Sequence, residues 1–260
     1  MFLPIFMEAK DYMKIRARII VGAAFAVAGV LLLIKQFSPG WHEKSEIKEV
    51  QEIADVVEID NKEEAEDSGE STAVPVDFDS LRKINPDIVG WIIVEGTEIS
   101  YPIMQSSEDE EDDFYLHHSF RRESSSHGSI YIQKVNNADF SDFNTVIYGH
   151  NMRDGTMFRQ LHLFRNKDFF EENDEITIYT PKEVHHYRIF AVYITENEMI
   201  FDTWGNYEND LLKENYIESL QHMNGEYRDE ELNVNSRIIT LSTCCGDDTK
   251  RLLVQGVEII

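Results

Sequence analysis

The chain has 260 residues and is strongly acidic, with 24 lysines and arginines against 49 aspartates and glutamates and a formal net charge of -25 at pH 7. A surface of that sign is repelled by nucleic acid, and no basic stripe offsets it, so a nucleic-acid partner is excluded. The 15 Phe, 11 Tyr and 3 Trp suffice for a packed core, while the two cysteines, Cys244 and Cys245, are adjacent. Consecutive strand side chains point to opposite faces, so a disulfide framework is excluded as well.

Residues 19–34 (IIVGAAFAVAGVLLLI) form an uncharged run of sixteen, preceded by Lys14, Arg16 and Arg18 and followed by Lys35. A helix needs about 20 residues to cross a bilayer, and snorkelling Arg18 and Lys35 supply the remainder. The run ends in LLLIKQF, without the small residues of a cleavage site, which favours an uncleaved anchor over a signal peptide. Lys10, Lys14, Arg16 and Arg18 before the span against Lys35, Lys44 and Lys48 after it give a slight positive-inside bias. The expected division is a cytoplasmic tail at 1–18, a transmembrane anchor at 19–36, an acidic stalk at 37–75 and a folded domain at 76–260, facing outward from the cell membrane. The stretch from Glu43 to Glu70 carries twelve acidic residues against three lysines. Within it Ile47, Val50, Ile53, Ala54 and Val57 repeat at helical spacing, which predicts an amphipathic helix over 45–60, with 61–72 polar and flexible.

After Pro75 the texture becomes β-rich. Short apolar runs between turn signals predict eight strands, at 91–94, 98–103, 129–132, 145–148, 175–179, 186–194, 237–243 and 252–260. So many short strands in so little chain predict a mainly β domain closed into a barrel. Helical pieces fall at 79–85, stopped by Pro86, and at 156–164, with Met157, Leu161 and Phe164 on one side. A longer helix at 209–223 places Leu211, Leu212, Tyr216, Ile217 and Leu220 together before an Asn224-Gly225 stop. The acidic cluster SSEDEEDD at 106–113 reads as a solvated loop rather than a calcium site, because carboxylates alone do not make one. The doublets His117-His118 and His185-His186 read as surface or packing residues. No Cys/His/Asp/Glu spacing resembles a zinc site.

Chemistry concentrates at two places. In IITLSTCCGDDTKR, residues 238–251, a strand delivers Cys244 at its end, a Gly-Asp-Asp turn follows, and Arg251 opens the next strand. Two adjacent antiparallel strands bring Cys244 and Arg251 together, and a cation beside a thiol favours the nucleophilic thiolate. A buried cysteine beside an exposed arginine fits the same residues. In NTVIYGHNMRDGTMF, residues 144–158, a strand runs into Gly149-His150, a position where a histidine can be poised for proton transfer or can be an idle loop residue.

TLSTC at 240–244 followed by Arg251, with YGHNM at 148–152, resembles the sortase signature. INPDIVGWIIVEGTEISYPI at 84–103, FYLHHSF at 114–120, GSIYI at 128–132, DGTMF at 154–158 and the helix before the cysteine strand are similar to class B sortases, so the resemblance covers about 76–260. It implies an eight-stranded sortase-type barrel with short helices, an N-terminal membrane anchor and a Gram-positive envelope. It further implies Cys244 as nucleophile, His150 as acid/base partner and Arg251 as the cation on the oxyanion side, with Leu116, Tyr148 and Ser242 near the bound substrate and Met199, Ile200 and Phe201 walling the groove. The implied partners are sorting-signal-bearing secreted proteins and an acceptor amine from a cell-wall precursor or a pilin lysine. No cofactor or metal is implied. Three other functions bear on the same residues. A purely hydrolytic cysteine peptidase shares the chemistry. A non-catalytic surface receptor would not need the three residues to converge. A phosphatase-type loop from Cys245 to Arg251 would place Asp247 and Asp248 inside an anion nest.

Overall fold

The computed structural model describes residues 39–54, 75–197, 207, 209–246 and 249–259. The chain divides into two units, 1–46 and 47–260. The expected tail, the apolar run at 19–34, the flexible stretch at 61–72 and Met199–Phe201 lie outside the described residues. Among the described residues no helix is long and apolar enough to cross a membrane.

Helix α1 is described over Pro39–Ala54, and residues 55–60 of the expected span 45–60 lie outside the described residues. Val50 and Ala54 are 1% and 0% exposed and join a cluster with Val76, Phe78, Leu81 and Trp91. Gln51 donates to the Ser100 carbonyl at 2.8 Å, and Glu49 pairs with Arg121 at 2.7 Å. The residues from Ile47 to Ala54 are therefore part of the folded unit rather than of a stalk, because the apolar side of the helix is buried against the barrel. Helix α2, Phe78–Ile84, is capped by the Asp77 carboxylate, which accepts from Ser80 N–H.

Nine strands follow: β1 Ile88–Val94, β2 Ser100–Gln105, β3 Ile130–Ile132, β4 Asn144–Tyr148, β5 Glu175–Tyr179, β6 Val184–Glu196, β7 Gly225–Tyr227, β8 Ile238–Cys244 and β9 Lys250–Glu258. They run β5-β1-β2-β3-β4-β8-β9-β6, and pairing of β5 with β6 closes the eight into a barrel, with β7 added to β6 outside the ring. The β2–β3 and β4–β8 pairs are parallel, and the other pairs are antiparallel. Inside the barrel lie Ile92, Ile103, Ile147, Ile178, Ile239, Leu241, Leu252 and Val254. The outer faces of these strands are covered too, by α1 and α2 on one side and by the helix at Asp210–Leu220 on the other. This explains why β1 and β8 are buried along almost their whole length rather than at alternate residues.

The expected helix at 156–164 is a 3₁₀ helix at Phe158–Arg165, followed by a short α3 at Lys167–Glu172. Its buried residues Phe158, Leu161 and Phe164 recur every third position, and side chains three apart eclipse in 3₁₀ geometry. Helix α4, Asp210–Leu220, is capped by Asn209 and buries Tyr216 and Leu220. Leu211 and Leu212, expected on the apolar side, are exposed. Gly225 starts β7 instead of merely stopping the helix. A buried polar chain ties α4 to the barrel. Gln255 Nε2 donates to Tyr216 Oη at 2.5 Å and to Thr240 Oγ1 at 2.8 Å, and Thr240 donates to Asn144 Oδ1 at 2.9 Å.

The acidic run at 106–113 is tied down more than a solvated loop would be. Glu110 pairs with Arg122 at 2.5 Å, and Asp112 accepts the Lys134 N–H at 3.0 Å. Among the described residues no group of His, Cys, Asp and Glu could hold a metal ion.

Candidate active site

Strand register assembles the site. In the parallel β4–β8 pair Tyr148 stands opposite Ser242, and the Gly149 N–H continues the ladder to the Ser242 carbonyl at 3.1 Å. His150 and Cys244 each lie two residues further along. In the antiparallel β8–β9 pair Cys244 stands opposite Arg251. Side-chain alternation then fixes the faces. Ile239 and Leu241 point into the barrel, and Cys245 packs against that same interior cluster. Thr240, Ser242 and Cys244 therefore belong to the outer face. On β9, Leu252 and Val254 point inward while Leu253 packs outside, so Arg251 shares the outer face with Cys244.

Cys244, His150 and Arg251 are each half-buried. His150 Nε2 donates to the Leu116 carbonyl at 2.8 Å, which fixes the proton on Nε2 and leaves Nδ1 bare in the neutral ring. Burial lowers the His150 pKa below its ordinary value of 6.5. The bond to Leu116 opposes this, and the nearby His117, His127 and Arg251 add to it. The Arg251 charge also reaches Tyr131 and Tyr148, so guanidinium, imidazole and both phenols share one neighbourhood. His117, expected as a surface or packing residue, is exposed, with its ring 6.5 Å from that of His150.

The loop after β4 is closed on itself. Phe158 N–H donates to the His150 carbonyl at 2.9 Å, Asn151 bridges to Met157, and Met157 N–H donates to Tyr101 Oη at 3.1 Å. Buried His127 reaches Asp154 in the same loop at 3.1 Å. The Cys244 carbonyl accepts from two side chains, Asn151 Nδ2 at 2.8 Å and His162 Nε2 at 3.1 Å.

Of the expected substrate contacts, Leu116 is half-buried, and it is its carbonyl that meets His150. Tyr148 donates to Gln133 Oε1 at 3.1 Å and stacks on Tyr131 with centroids 5.3 Å apart. Burial pushes both phenol pKa values up. Ser242 is 2% exposed, and its Oγ has no hydrogen-bond partner among the described residues. Asn151 and His162 did not stand out in the sequence: one sat inside a polar loop, the other on a segment whose pattern signalled packing. Only the 82-residue jump from His162 to Cys244 in the folded chain reveals the contact.

A cysteine register-paired with an arginine on the same face, with an imidazole past the neighbouring strand end, is an arrangement that can carry covalent acyl transfer. Set on the outer face of a closed eight-stranded barrel, it defines a cysteine transpeptidase of the sortase type. Residues 92–259 match the family model described as a sortase domain, and the chain belongs to the sortase family. Its relatives are class B enzymes. Sortase B of Listeria monocytogenes is 33% identical over 251 residues, covering 94% of this chain and 98% of that protein. The X-ray structure of Clostridium perfringens sortase B is 37% identical with a TM-score of 0.64, covering 70% of this chain and 99% of that one. The Staphylococcus aureus sortase B–substrate complex is 32% identical with a TM-score of 0.63, covering 70% and 84%.

Proposed function

We propose that this cysteine transpeptidase is anchored in the cell membrane through residues 19–36 and works on the extracellular side. It cleaves a C-terminal sorting signal of secreted proteins and passes the acyl group to an amine of a cell-wall precursor or a pilin lysine. The observation that carries this reading is the register that sets Cys244 opposite Arg251, with His150 two residues past the end of the parallel strand β4.

In this mechanism the Cys244 thiol gives its proton to His150, and the sulfur attacks the scissile carbonyl. Arg251 stabilises the negative charge that develops on the carbonyl oxygen. As the tetrahedral intermediate collapses, the C–N bond breaks and the His150 imidazolium protonates the leaving amine, leaving a thioacyl-enzyme. The acceptor amine then attacks the thioester, loses its proton to His150 and expels the Cys244 thiolate. Burial favours neutral His150, the form that takes up both protons. Leu116 and Tyr148 line the path of the peptide on the outer face, with Ser242 buried beneath it. The substrate complex of the S. aureus relative supports a substrate-binding role for this fold.

The test is cleavage of a peptide library by the enzyme, with and without a supplied amine, read by mass spectrometry of products and of intact protein. Expected are a thioacyl adduct on Cys244, a peptide–amine product when amine is present, and no adduct on Cys244→Ala. Identical hydrolysis products with and without amine would replace transfer by hydrolysis. Absence of any adduct would overturn the assignment.

A further inference from the structure

Strand β8 ends at Cys244, and the way its last carbonyl is held differs from the rest of the ladder. Two residues earlier the Ser242 carbonyl accepts a backbone N–H, that of Gly149, at 3.1 Å. A parallel ladder continued by two residues would offer the Cys244 carbonyl the backbone N–H of residue 151. Asn151 instead turns away to bridge with Met157, and its side-chain Nδ2 takes up the bond at 2.8 Å. His162 Nε2, carried in by the 3₁₀ helix, adds a second bond to the same oxygen at 3.1 Å.

The need for such bonds follows from what comes next. Cys245 N–H is tied to the Lys250 carbonyl at 3.1 Å, and Gly246 then takes φ +94, a left-handed conformation that a glycine adopts freely. Among the described residues, the peptide plane between Cys244 and Cys245 is thus the last one of the strand held before a permissive turn. Holding that plane fixes ψ of Cys244, and with it which staggered rotamers are open to the thiol side chain. A carbonyl oxygen only accepts, so His162 carries its proton on Nε2. Burial, aided by Arg159 and Arg165, lowers the His162 pKa and favours the neutral ring. Asn151 is itself held, its Oδ1 accepting from Arg159 Nη1 at 3.1 Å.

We propose that Asn151 and His162 are positioning residues of the transpeptidase: together they clamp the main-chain carbonyl of Cys244 and set the attack direction of its thiol without touching substrate. This rests on Cys244 being the nucleophile. Loss of the thioacyl adduct in Cys244→Ala tests that assumption separately.

The experiment uses the full chain and four variants, His162→Leu, His162→Gln, Asn151→Asp and the double His162→Leu/Asn151→Asp. Steady-state kcat and KM for peptide cleavage, the alkylation rate of Cys244 by a small thiol reagent, and the thermal midpoint are measured for each. Asn151→Asp retains the oxygen that faces Arg159 and replaces the donor with a carboxylate oxygen that repels the Cys244 carbonyl, so it reports even where another variant folds poorly. Misplacing a reacting atom by a fraction of an ångström to 1 Å slows a reaction by about 10- to 100-fold. Losses in that range are expected in kcat for His162→Leu and Asn151→Asp, with KM within about twofold. His162→Gln, whose amide nitrogen can reach the same oxygen, should recover most of the rate. Wild-type kcat in both donor-removing variants overturns the proposal. So does a His162→Gln enzyme as slow as His162→Leu at equal thermal midpoint, because a purely steric role for the ring would then account for the loss.

Discussion

Replacing Gly149 with alanine adds one methyl group where β4 hands over to His150. Gly149 is buried, and a β-carbon there would lie 2.5 Å from Ile130 Cδ1 and 2.6 and 2.7 Å from Phe158 Cδ2 and Cγ. Carbon atoms rest about 3.5–4.0 Å apart, so the methyl overlaps both neighbours by roughly 1 Å. Ile130 and Phe158 are 1% and 0% exposed and cannot swing into solvent. Overpacking of this kind costs about 1–3 kcal/mol. In a folded unit of this size each kcal/mol moves the midpoint by about 2–4 °C, so a fall of about 2–12 °C is expected. The clash is relieved by moving the backbone, and that backbone carries His150, whose carbonyl is bonded to the Phe158 N–H at 2.9 Å. A displacement near 1 Å costs on the order of 100-fold in rate. Calorimetry and thioacyl-formation kinetics on Gly149→Ala check both effects. Ile130→Val in the same chain removes the Cδ1 atom and should restore part of each. A Gly149→Ala enzyme with wild-type midpoint and rate would refute the packing argument and the link from packing to His150.

Cys245→Ala should keep substantial turnover and lose only about 1 kcal/mol of stability, since its side chain faces the barrel interior. A methanethiosulfonate-type reagent should label the native protein at Cys244 first, and intact-mass spectrometry showing an adduct on Cys244→Ala but none on Cys245→Ala would reverse the two roles. The pKa values of His150 and His162 are both lowered from 6.5, chiefly by burial, so below that value the unfolded chain binds more protons than the folded one. Stability is therefore complete above about pH 6.5 and declines as pH falls towards the depressed folded values. Urea midpoints between pH 7.5 and 5 should drop for the wild type and drop less for His150→Gln/His162→Gln. Equal slopes in the two proteins would exclude these histidines as the cause.

Much of this architecture can be read from residue pattern. Runs such as IVGWIIV and IITLSTC are rich in Val and Ile and bounded by turns, so they announce strands that tertiary context only lengthens. The parity of 244 and 245 decides which thiol faces inward once Leu241 is known to be core. The three residues of β7 escape notice because they are largely exposed and pair on one edge only, which leaves no apolar period to detect. Helix α1 is already present at Pro39, ahead of the apolar repeat that starts at Ile47, because the polar residues from His42 to Glu46 leave no apolar period to detect. Strand β6 outgrows its expected span because it pairs with β5, β7 and β9 at different points and carries a bulge near Phe190 that breaks its alternation. At the site, Arg251 follows from a hairpin, whereas Asn151 and His162 act through donors aimed at a main-chain oxygen far away in sequence. No residue-type pattern records a bond to a carbonyl.

The opposite orientation of the two neighbouring thiols bears on oxidative damage. When peroxide converts an exposed thiolate to sulfenic acid, a second thiol within reach can condense with it to a reversible disulfide and halt further oxidation. Here the adjacent sulfur is packed against the interior cluster on the far side of the sheet, and these are the only two cysteines in the chain. A sulfenic acid on Cys244 has no resolving partner within its own molecule. Its rescue depends on a thiol supplied from outside, and without one the next step leads to sulfinic acid and permanent loss of the nucleophile.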